Sequence, residues 1–78
     1  NLIDDGVFRV DVPKIGKVWK FGDLLDEFRG NFNAMIIARG KNGTLDIDIN
    51  PGSEVEVNGG DALYYMSNRT ANVDWEKL

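Results

Sequence analysis

Polar and apolar residues alternate at the start of the chain. Val7-Phe8-Arg9-Val10-Asp11-Val12 places Phe8, Val10 and Val12 on one face of a strand. Pro13, with no N–H to give a ladder, ends it. Residues 14–20 are expected to be a connector around Gly16. The period then changes: Phe21, Leu24, Leu25 and Phe28 recur at i, i+3, i+4 and i+7, one face of a short amphipathic helix. Asp23 in its first turn and Arg29 in its last complement the helix dipole. Gly30 is the expected left-handed residue that closes it.

Ala34 to Lys41 and Thr44 to Ile49 flank Asn42-Gly43, a strong hairpin signal. A two-residue type I′ turn predicts that Ile36 faces Ile49 and Ala38 faces Ile47 on an apolar side. On the other side Arg39 faces Asp46, as a cross-strand ion pair, and Ile37 faces Asp48, with Met35 sharing that surface. Asn50-Pro51-Gly52-Ser53 is turn chemistry, and Glu54-Val55-Glu56-Val57 a short alternating strand. Asn58-Gly59-Gly60-Asp61 is another tight turn. Ala62-Leu63-Tyr64-Tyr65-Met66 reads as a strand buried on both faces. The polar tail from Asn68 to Leu78, broken by Val73, Trp75 and Leu78, fits a closing strand, a docking turn or the start of a linker. The pattern predicts an α+β domain spanning residues 1–78: a small, mostly antiparallel β-sheet with one amphipathic helix, in β-α-β-β-β-β order.

A chain of 78 residues is one domain, and it buries only about 60% of its unfolded surface. The core is therefore thin, and self-association is expected to add burial. A net charge of −4 disfavours nucleic acid and anionic membranes as partners, since both reward clustered Lys and Arg. Cys and His are absent, which removes disulfides, thiolate metal sites and the commonest general base. No enzyme activity, catalytic residue or cofactor is expected. The longest apolar runs, Ala34 to Ala38 and Ala62 to Met66, are too short to cross a bilayer. Because the chain opens on Asn1 rather than Met, it is expected to be a piece of a longer protein.

Asp46-x-Asp48-x-Asn50-Pro51-Gly52 begins like an EF-hand loop, but Pro51 stands where its glycine belongs and Val57 where its bidentate glutamate belongs. Asp46, Asp48, Glu54 and Glu56 remain weak candidates for a looser hard-cation site. Charges that keep edge strands from aggregating are the simpler account of them. Gly59-Gly60 is too short to cradle phosphates and lacks the following Lys. Trp19, Trp75, Tyr64 and Tyr65 are expected to pack in the core or at an interface rather than to stack bases.

The order of these segments resembles the C-terminal subdomain of the regulator-of-potassium-conductance family (RCK, or TrkA-C) over about residues 7–67. Phe21-Gly22-Asp23-Leu24-Leu25 after Gly16-Lys17 looks like the family's helix start, and Ala34-Met35-Ile36-Ile37-Ala38-Arg39 is similar to its apolar strand ending in Arg. Asn50-Pro51 before Val55-x-Val57 resembles the return strand, and Gly60-Asp61-Ala62-Leu63-Tyr64-Tyr65 the opening of the last one. The Gly-rich hairpin and the aromatic pair Tyr64-Tyr65 depart from the pattern. The resemblance implies a cytoplasmic regulatory module, ligand-sensing and dimeric, attached to a potassium channel or uptake system at the cell membrane. The same module on another transporter such as an antiporter, or a stand-alone β-rich interaction domain, are the alternatives. The regulatory ligand stays unspecified. Met35, Ile37, Tyr64 and Tyr65 are the expected homodimer interface, because an apolar surface left over from a thin core marks a partner site.

Overall fold

The computed structural model describes residues 6–78, so the opening Asn1 lies outside it. The elements run β1 (Val7–Asp11), β2 (Val18–Lys20), α1 (Phe21–Phe32), β3 (Met35–Gly40), β4 (Ile47–Ile49), β5 (Glu56–Asn58), β6 (Ala62–Met66) and a 3-10 turn (Trp75–Lys77). Four strands form one sheet in the order β1-β6-β3-β4, and β2 pairs with β5 in a second, two-stranded sheet. Every pairing is antiparallel. The fold is α+β, with a small antiparallel sheet and α1 packed on it.

The alternation of the first strand holds. Phe8 and Val10 are half-buried and Val12, just past β1, is buried. The Val12 N–H donates to the Asp61 carbonyl, and Gly60 N–H donates to the Val12 carbonyl, both at 2.8 Å. Residues 14–20, however, are more than a connector. In β2, Trp19 lies opposite Val57 of β5, and both are buried. A three-residue strand with one inward side chain shows no measurable period, which is why its sequence reads as a loop.

The helix also runs further than Gly30. Phe32 extends the apolar stripe by one more i+4 step, its ring 5.6 Å from that of Phe28. Closure falls to Asn33, left-handed at φ 52, with the Asn33 and Ala34 N–H groups donating to the carbonyls of Arg29 and Phe28. The Asn33-to-Arg29 bond is the αL ending, and Asn is the residue after Gly best suited to it. Gly30 is thus an interior helical glycine whose Cβ position is open space. Gly30→Ala is expected to stabilise the fold by about 0.5–1 kcal/mol, read as a rise in the urea midpoint. A lower midpoint would contradict the helical assignment.

The hairpin register differs from the type I′ expectation by two residues. Gly43 is left-handed at φ 75 but Asn42 is not, whereas type I′ needs both. The Lys41 carbonyl accepts from the Thr44 N–H and hydroxyl, while Thr44 Oγ1 accepts from Asp46 N–H. The threonine hydroxyl competes with the ladder and lengthens the loop. Ala38 therefore opposes Ile49, Gly40 opposes Ile47, and Arg39 opposes Asp48 rather than Asp46. A bulge between Ile36 and Ala38 against β6 then reverses the facing of β3, so Ile36 is buried beside Tyr65 while Ala38 lies opposite Tyr64.

The core lies between the sheet, α1, β2–β5 and the tail. Leu24 and Phe28 of the helix, Leu63 and Tyr65 of β6, and Val57 of β5 are its centre. The tail is a docking turn. Trp75 packs edge-on to Trp19 at 5.2 Å, and Lys17 Nζ donates to the Glu76 and Leu78 carbonyls at 2.8 and 3.3 Å. No helix among the described residues is long and apolar enough to cross a membrane.

Candidate functional site

Strand registers fix what the far side of the four-stranded sheet presents. Val7, Met66 and Met35 form one row across β1, β6 and β3. Arg9, Tyr64, Ala38 and Ile49 form the next, and Asp11, Ala62, Gly40 and Ile47 the third. With α1, β2–β5 and the tail packed on the other side, this face is open among the described residues. Ile49 is 80% exposed, Val7 58%, Ile47 52% and Met35 49%, and Leu45 at the hairpin tip is wholly exposed. A solvated antiparallel face normally alternates to polar residues. Among the described residues only Arg9 and Asp11 do so here, paired to one another at 3.0 Å, with the Arg9 guanidinium 6.0 Å from the Tyr64 ring centre. A contiguous apolar face of this kind marks a docking surface. A hollow of about 250 Å³ opens on it, between Arg9, Tyr64, Gly40 and the 41–46 loop.

The expected interface residues divide. Met35 and Tyr64 lie on the open face. Ile37 sits half-buried at the bulge, its carbonyl accepting from Asn50 N–H at 2.7 Å. Tyr65 is interior, 2% exposed, and is excluded from any interface. Its ring packs on Phe8 and Phe28, and its hydroxyl accepts from the Ala71 N–H at 2.9 Å. The last strand is accordingly not buried on both sides, since Met66 is 37% exposed. Val7, Ile47, Ile49 and Met66 are the surface residues that sequence reasoning missed. The apolar spacing of Leu45, Ile47 and Ile49 was the available signal, but without the Ile37 bulge it points inward.

The four carboxylates do not converge. Asp48 is bonded to Arg39, and Glu54 pairs with Lys20 at 3.1 Å on the surface. The hydrogen bond and charge of Glu54 raise the Lys20 ammonium above its ordinary pKa. Asp46 lies in the hairpin loop and Glu56 points outward from β5. Among the described residues, no group of three such side chains is placed to hold a metal ion.

A second constellation lies under the hairpin. Asp61, 2% exposed, accepts from the N–H groups of Asn42 and Asn58, each at 2.9 Å, and faces Arg39 Nη1 at 3.5 Å. Arg39 also bonds Asp48 and donates to the Glu56 carbonyl at 3.3 Å. One carboxylate thereby ties the β3–β4 loop to the β5–β6 turn. Gly60, at φ 93, completes the junction, because a Cβ there would lie 2.6 Å from the Asn42 amide nitrogen. This cluster positions the hairpin whose outer strand carries Ile47 and Ile49.

No protein-family model matches the chain, and no curated protein matches it.

Proposed function

We propose that this chain is a regulatory, ligand-sensing and dimerising domain that acts on the cytoplasmic side of the membrane, controlling a potassium channel or uptake system. The observation that carries the reading is the open apolar face of the four-stranded sheet. Such a domain works by association. Ligand binding that favours one arrangement of two copies over another shifts the population of the two, and the parent pore follows. A two-fold pair is the commonest form of soluble homo-oligomer.

Light scattering coupled to size exclusion is expected to give twice the 8.7 kDa chain mass. Ile49→Asp is expected to return the mass to that of one chain while leaving the far-UV circular dichroism of the folded domain unchanged, because Ile49 is 80% exposed and outside the core. A monomer at high micromolar concentration would overturn the reading. The parent gene is expected to encode membrane spans beside this domain, and a parent without any would remove the link to ion transport.

A further inference from the structure

The β4 strand is the outer edge of the four-stranded sheet, and its residues divide strictly by direction. Asp46 and Asn50 bond inward to Lys41 and Ile37, and Asp48 is the register partner of Arg39. Backbone groups in an antiparallel ladder alternate sides, so the N–H and C=O of Ile47 and Ile49 point out to the free edge. Their side chains stand on the open face at 52% and 80% exposure. The other edge strand, β1, sets Arg9 and Asp11 on the same face, charges of the kind that discourage pairing. The open-face side chains of β4 carry no such guard.

We infer that two copies of this chain join edge to edge along β4, antiparallel about a two-fold axis at Asp48, making one eight-stranded sheet. This rests on the reading that the chain self-associates, and it specifies the seam. In that register Ile47 of each copy exchanges both outward backbone hydrogen bonds with Ile49 of the other, and the two side chains form an apolar cross-strand pair. The two Asp48 side chains meet at the axis, each already neutralised by its own Arg39. A β4 segment is thus its own antiparallel complement, which an unrelated peptide is not. The two open faces merge into one continuous apolar surface.

The test uses the absence of cysteine from the chain. Non-hydrogen-bonded antiparallel partners have Cα atoms about 4.5 Å apart, within disulfide reach. Asp48→Cys is expected to form an interchain disulfide under mild oxidation, whereas Asp46→Cys, displaced along the strand from the axis, is not. On the unmodified chain, the Ile47 and Ile49 amides are expected to exchange at least about tenfold more slowly in the dimer than after dilution to monomer. A dimer in which those two amides exchange freely, or in which Asp46→Cys crosslinks as readily as Asp48→Cys, would overturn the β4 seam while leaving self-association intact. A chain that stays monomeric would overturn both.

Discussion

Asp61→Asn is expected to cost about 3 kcal/mol, because a buried carboxylate that accepts from two backbone N–H groups is replaced by an amide with a single acceptor oxygen. A domain of this size has only about 4–12 kcal/mol in total at the usual per-residue stability. The amide keeps the shape of the side chain but loses the charge facing Arg39, and its NH2 is set against N–H donors that now have no acceptor. Arg39, 11% exposed, still has Asp48 as a charged partner. Urea denaturation reads the loss directly. A single-variant loss below about 1 kcal/mol, the range of an exposed pair, would show that the cluster is solvated rather than buried.

Phe28→Ala ranks beside it, with an expected loss of about 3–5 kcal/mol for a fully buried aromatic. Phe28 joins three parts of the molecule: its ring lies 5.6 Å from Phe32, 5.5 Å from Tyr65 and 6.4 Å from Trp75. Truncation should therefore unseat the tail as well as hollow the core. Tryptophan emission is expected to shift to the red under native conditions as Trp75 meets water. Emission unchanged in the folded variant would mean that Trp19 alone holds the tail.

The sequence was most legible where one period ran long enough to outvote local chemistry. The helix stripe through Phe28, the β1 alternation and the apolar run of β6 all announce themselves in this way. Local signals that depend on a single hydroxyl or a single dihedral did not. Asn42-Gly43 has the composition of a two-residue turn, yet the Thr44 hydroxyl reorganises it. The bulge at Ile37 has no compositional mark, and it alone decides which side of β3 is the core. The outward surface of Ile47 and Ile49 was hidden by these two effects together. Asp61 was hidden differently, since an acid between a glycine turn and a strand looks like an ordinary surface residue until its three partners are seen.

No side chain caps the start of α1. Its first two N–H groups donate to the carbonyls of Val55 and Ser53, at 2.8 and 2.9 Å, in the segment that leaves β4. Gly22 is pressed so close that a Cβ there would meet the Ser53 side chain at 2.7 Å. The helix start therefore draws the partners of its first N–H groups from residues much later in the chain. In the native state the same dependence makes the helix start and the 50–55 segment open and close as one cooperative unit. Tension applied at the β4 edge has a short mechanical route, through Asn50 to Val55, into the helix axis.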